Sequence, residues 1–142
     1  MACTKPGGQE DGVHLEIFAK RLVLLVPAGI GIAPPIRSTG GYVLGGRCSY
    51  AARTRDPTGV IEVRRESNLR LGQFFSLWGQ PLGRTRLASF HTGRTRPVLA
   101  FVDGRSWTRN PRDIRLRRHA EIVLEIGGFV RPHITYRFRK GL

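Results

Sequence analysis

Between residues 60 and 126 the chain spells out a strand, one short amphipathic helix and further strands, each bounded by turn-forming residues, and that order leaves few architectures open. Val60-Ile61-Glu62-Val63 is a strand-like run. Leu71, Phe74, Phe75, Trp78 and Leu82 then recur at i, i+3, i+4, i+7 and i+11, the spacing of one helical face. Ser67 or Asn68 is the candidate cap, and Gly79 and Pro81 stop the helix. The run 97–101 leads through Val102-Asp103-Gly104-Arg105 into Ser106-Trp107-Thr108, a hairpin. In 120–126 Ile122, Leu124 and Ile126 alternate with Glu121, Val123 and Glu125, as on a strand with two unlike faces. A single short helix covers one face of one sheet. The expected class is therefore α+β and β-rich, a β-grasp-like mixed sheet packed on one short helix, with a β-sandwich carrying one helix as the competing architecture.

Upstream, Val13, Leu15 and Ile17 alternate with His14, Glu16 and Phe18 in a half-buried strand. Lys20-Arg21 is a tight turn into 22–26, a return strand apolar on both sides and so expected to be covered on both. Prolines and glycines between Pro27 and Pro35 end it. Gly29-x-Gly31 lacks the third glycine and the following helix of a phosphate-binding turn, and reads as structure. Residues 36–47 are a loop carrying a short strand at Tyr42 and Val43. The turn Asp56-Pro57-Thr58-Gly59 joins 48–54 to 60–66 as a hairpin. Residues 84–97 read as an exposed Arg-rich connection, and 129–142 as a strand or extended tail laid over the sheet. At 142 residues one core suffices. The expected division is a flexible tether over 1–12 and a single β-rich domain over 13–142.

The formal net charge is +14, and only three of the 24 basic residues are lysine. Arginines two apart on a strand share a face. This makes Arg53, Arg55, Arg64 and Arg65 the candidate strip for an anionic or protein partner. Trp107 or Tyr50 would be the stacking surface if that partner were nucleic acid. Cys3 and Cys48 form no disulfide framework and no Cys-x-x-Cys zinc spacing. Met1-Ala2-Cys3-Thr4, followed by a polar run to Gly12, has the form of a lipoprotein junction and makes Cys3 a candidate lipidation site, although no apolar signal region precedes it. No apolar run is long enough to span a bilayer. His14, His91, His119 and His133 are isolated along the chain. Ser89 beside His91 makes no triad, and no Gly-x-Ser-x-Gly turn exists. Glu121 and Glu125 share a strand face, with Glu16 alongside, and read as ion-paired surface carboxylates. The expectation is no catalytic residue, no cofactor and no metal ligand.

Five motifs together carry a resemblance: His14-Leu15-x-Ile17-Phe18, Pro27-Ala28-Gly29-Ile30-Gly31-Ile32, Asp56-x-Thr58-Gly59-Val60-Ile61, Leu71-Gly72-Gln73-Phe74-Phe75-x-x-Trp78-Gly79, and Val102-Asp103-Gly104-Arg105. Over roughly residues 13–127 the chain resembles an uncharacterised, mainly actinobacterial group of extracytoplasmic domains, often found behind a signal peptide or membrane anchor. The resemblance implies placement rather than an activity. Its His-rich branch carries His-Thr-His-Asp and a further His where this chain has Arg53-Thr54-Arg55-Asp56 and Glu62. Guanidinium groups donate no lone pair to a metal, so any metal site of that branch is expected to be lost here. The function expected is a non-enzymatic binding or accessory domain, extracytoplasmic or envelope-associated, meeting an anionic envelope component or another protein. A small cytoplasmic nucleic-acid-binding module is the rival, and an enzyme the third class.

Overall fold

One long strand organises the sheet. β1 (Glu10–Ala19) turns through Lys20 and Arg21, both at positive φ, into β2 (Leu22–Leu24). β3 (Ile32–Ala33), β4 (Arg37–Thr39), β5 (Tyr42–Gly45) and β6 (Cys48–Ser49) make two small ladders, β3 with β6 and β4 with β5. β7 (Ala52–Arg53) and β8 (Val60–Arg64) form the next hairpin, ahead of the single α-helix α1 (Leu71–Trp78). A two-stranded hairpin of β9 (Arg86–Leu87) and β10 (Phe90–His91) follows. Then come β11 (Leu99–Val102), β12 (Arg105–Trp107), a 3-10 turn (Pro111–Asp113) and β13 (Glu121–Ile126). The computed structural model describes residues 1–5 and 7–142; Pro6, within the expected tether, lies outside the described residues. Among the described residues no helix is long and apolar enough to cross a membrane.

The sheet has seven strands in the order β12-β11-β13-β1-β8-β7, with β2 also paired to β1. β1 is long enough to hold three partners. Its first half pairs antiparallel with β8, its end pairs antiparallel with β2, and its other edge runs parallel to β13, with His14 opposite Glu121. The kernel β2-β1-β13-β11, a parallel central pair with the helix in the connection, is β-grasp-like, and the fold is α+β with a mixed sheet as expected. Its centre differs from the sequence reading, which drew the strands around the helix from residues 60–126 alone. β1 takes that place because its ten residues are long enough to pair with three strands.

The alternation of β1, β8 and β13 sorts side chains onto two faces. Val13, Leu15, Ile17, Ile61, Val63, Ile122 and Leu124 share one core with Leu71, Phe74 and Phe75 of the helix. These three helix residues are fully buried, while Trp78 is partly buried and packs on Phe75 at 5.3 Å between ring centres. The helix begins later than expected. Arg70 is the N-cap, its backbone N–H donating to Gln73 Oε1 at 2.9 Å, and Gly79 closes the C-terminus with φ 76°. The second expectation to fail is the burial of the return strand. Leu22, Val23 and Leu25 are 74%, 64% and 65% exposed, so none of the described residues covers the outer side of β2.

The N-terminal boundary also moves. Residues 10–12 belong to β1, Thr4 pairs with Ser49 through both backbone bonds, and Cys3 is joined to Cys48. That disulfide corrects the reading of Cys3 as a lipidation site, since a sulfur bonded to Cys48 is not a free thiol for acylation.

Candidate functional site

The sheet face turned away from the helix is built from charged residues. His14 and Glu16 come from β1, Arg53 from β7, Glu62 from β8, and Glu121 and Glu125 from β13. The C-terminal segment 129–142 crosses this face in extended form without joining the sheet. Tyr136 stacks on His14 at 3.6 Å between ring centres, Phe138 stacks on His119 at 4.4 Å, and Phe129 meets Phe101 edge-on. Gly12 makes room for the segment, since a Cβ there would come within 2.7 Å of the Phe138 ring. The carboxylates read as surface groups are therefore interior: Glu121 and Glu125 are both 0% exposed.

Two polar clusters lie under this cover. In the first, His14 Nδ1 is 2.7 Å from Glu121 Oε2 and His14 Nε2 is 2.9 Å from the Thr58 carbonyl. A carbonyl oxygen only accepts, so Nε2 carries a proton and donates it there. Nδ1 and Oε2 then hold a single proton between them. Gly59 allows this geometry, having φ 85° and a backbone so near β1 that a Cβ would sit 2.4 Å from the Leu15 carbonyl. Glu16 Oε1 lies 3.8 Å from His14 Nδ1 and 2.6 Å from Nδ1 of His133 on the covering segment. Burial, helped by neighbouring Glu16 and opposed by His14, pushes the Glu121 carboxyl up to about 7. Burial also works against ionisation of Glu16, but Glu121 and His133 together hold it below the ordinary carboxylate range. Hydrogen bonding to Glu16 raises His133. The donor atoms of His14, Glu16 and Glu121 all fall within 4.8 Å of one another.

The second cluster contains the arginines singled out in the sequence. Arg53 is 6% exposed, with Nη2 2.6 Å from Glu10 Oε1, Nη1 donating to Ser49 Oγ at 2.8 Å and Nε 3.4 Å from Glu62 Oε1. Arg55 donates to Glu62 Oε1 at 2.7 Å and to the Val43 and Leu44 carbonyls. Arg139 of the covering segment holds Glu62 Oε2 at 2.6 Å. Burial works to raise the Glu62 pKa, but hydrogen bonding to Arg55 and Glu10 and the charges of Arg55 and Arg53 hold it below the usual carboxylate range. A cavity of 120 Å³ opens beside this network, among Tyr42, Thr58, Glu62, Tyr136 and Arg139. Arg65 reaches Asp11 and Gln9, and Arg64 reaches the Lys5 and Ser49 carbonyls. All four arginines of the expected contact strip, Arg53, Arg55, Arg64 and Arg65, have partners within the chain, Arg53 buried and Arg65 exposed. Arg53, Arg55 and Glu62 form an ion network.

Unopposed charge lies elsewhere. No Asp or Glu occurs between Glu66 and Asp103. Arg84, Arg86, Arg94 and Arg96 are exposed on and around the β9–β10 hairpin. Arg84 donates to the Thr108 carbonyl, which brings Arg109 alongside, its guanidinium 4.4 Å over the Trp107 ring. Sequence reasoning treated this segment as a mere connection. The signal that distinguishes it is the missing acid, not the number of arginines. Trp107 is no open stacking platform, because Arg109 covers the ring and its Nε1 donates to the Asn110 carbonyl. Comparison with protein-family models, curated proteins and solved structures finds no match to the chain.

Proposed function

We propose that the chain is a non-enzymatic binding or accessory domain working outside the cytoplasm, and that it meets anionic polymers or surfaces through the arginine-rich β9–β10 hairpin with Arg109. The observation that carries this reading is the segregation of charge. Glu10, Glu16, Glu62, Glu121 and Glu125 lie on the covered sheet face, and the arginines beside them are spent in ion pairs and hydrogen bonds. The hairpin arginines have no carboxylate partner among the described residues. A patch of one sign with no acid nearby attracts polyanions through counterion release, without reading sequence. The Cys3–Cys48 bond supports placement outside the cytoplasm, since disulfides persist in oxidising compartments. The covering of Trp107 by Arg109 favours this reading over a dedicated single-strand site, which needs an open aromatic face.

Fluorescence titration against duplex oligonucleotides of several sequences, used as polyanion probes, tests the reading. Affinity should be independent of sequence and fall about 10²- to 10³-fold between 50 and 200 mM salt if about five phosphates are contacted. Combined R84E, R86E, R94E and R96E should abolish binding. The same charge change made at Arg21, Arg37, Arg47 and Arg131, exposed elsewhere on the molecule, should weaken binding far less. Equal loss in both quadruple variants would mean that net charge alone acts, and sequence-selective binding would move the protein to the nucleic-acid class.

A further inference from the structure

We propose that His14, Glu16 and Glu121 form a binding site for one divalent first-row transition ion beneath the covering segment, held by one imidazole nitrogen and two carboxylates. The inference is independent of the basic hairpin. It starts from three donors brought together by β1 and β13, whose ligand atoms lie within 4.8 Å of one another. The orientation of His14 is that of a metal ligand. Its Nε2–H is committed to the Thr58 carbonyl at 2.9 Å, which turns the Nδ1 lone pair toward the two carboxylates. Metal-bound histidines characteristically fix their second nitrogen this way.

An independent observation comes from Glu121. The residue is 0% exposed, and Oε1 is buried with no hydrogen-bond partner, while Oε2 faces His14. A buried carboxylate oxygen left unpaired is expensive, and a cation supplies the missing partner. A divalent ion also matches the charge of the two carboxylates. Binding replaces the proton held between His14 Nδ1 and Glu121 Oε2, so one proton leaves as the ion enters, and the 2.7 Å separation opens by about 0.5 Å for both atoms to reach a metal at about 2.0–2.2 Å.

His133 has a positioning role. Its Nδ1 sits 2.6 Å from Glu16 Oε1, so the covering segment orients one ligand from outside the set. Tyr136, stacked on His14, shields it from solvent. The imidazole favours zinc-like ions over magnesium, and the cover makes the site a structural one that ties 129–142 to the sheet. The expected absence of metal rested on Arg53, Arg55 and Glu62, which form the neighbouring network, and on the isolation of His14 along the chain, whereas the β1–β13 register sets it opposite Glu121.

Calorimetric titration of the full chain, first stripped with EDTA and then given Zn²⁺, provides the test, with circular dichroism confirming that each variant is folded. The expected result is one equivalent of Zn²⁺ per chain, release of a proton seen as a buffer-dependent heat, and no comparable binding of Mg²⁺. Glu121→Gln, which keeps the shape of the side chain, should weaken binding at least about 100-fold, and Glu16→Gln, at a partly exposed position, should do the same if the first variant does not fold. His133→Ala should weaken it about tenfold. Glu125→Gln, a change at the other fully buried carboxylate of β13, should bind as wild type does. Absence of stoichiometric binding by the folded wild type, binding that survives both Glu16→Gln and Glu121→Gln, or equal loss in Glu125→Gln would overturn the proposal.

Discussion

Arg53 shows how far a residue's role departs from its chemistry when it is read in isolation. A guanidinium two positions from another on a strand promises a contact surface, yet this one is buried with Glu10, Glu62 and Ser49 around it. Its neighbour Glu62 accepts from Arg55 and Arg139 as well. Burial opposes ionisation, but hydrogen bonds from Arg55 and Glu10 and the charges of Arg55 and Arg53 depress the Glu62 pKa below its unfolded value of 4.5. A depressed acid contributes stability that is present above the unfolded pKa and lost as pH falls through the folded one. Urea denaturation of wild type and Glu62→Gln should show the widest stability gap at neutral pH, narrowing as pH drops below about 4. A gap independent of pH would mean that Glu62 acts by packing alone.

At the scale of elements, turns place the polar clusters as much as strands do. The 56–59 turn brings the Thr58 carbonyl to His14, and it works because Gly59 occupies a positive φ in a space where a Cβ would meet the Leu15 carbonyl at 2.4 Å. Gly59→Ala should cost more than about 1 kcal/mol, combining left-handed backbone strain with the close contact. It should also move the His14 ring resonances in NMR spectra. Unchanged stability would show that the turn relaxes freely. The covering segment 129–142 works differently. It forms no ladder and meets the sheet through rings, His133 and Arg139, so Tyr136 and Phe138 of its alternation lie against side chains of the sheet, while Ile134 stays exposed.

Across the whole molecule, the Cys3–Cys48 bond ties the N-terminus to the β3–β6 ladder across a separation of 45 residues. Chain entropy gives such a closure about 4 kcal/mol. Reduction, or Cys3→Ser with Cys48→Ser, should lower the thermal midpoint by roughly 10–15 °C while leaving the seven-stranded sheet folded, because neither cysteine belongs to the main core. Complete unfolding on reduction would show that the bond sustains the fold rather than one edge. The molecule also separates its charges: Glu10, Glu16, Glu62, Glu121 and Glu125 share the covered sheet face, while the hairpin after α1 keeps its arginines without a carboxylate partner among the described residues.

Periodicity alone determined the single helix, its Leu71, Phe74 and Phe75 face, the two faces of β13 and the turns at Lys20-Arg21 and Asp103-Gly104, because each is set by neighbours within a few positions. It also pointed to a mixed sheet on one helix. Tertiary structure decided the rest. His14 and Glu121 stand 107 positions apart and meet only because β1 and β13 run parallel in one register. Alternation showed that Glu121 and Glu125 face away from the core, but only the returning tail made that second face an interior. The same applies to the arginines. Which cations remain unopposed depends on where every carboxylate comes to rest, and burial and pairing across the sheet, rather than local spacing, set that outcome.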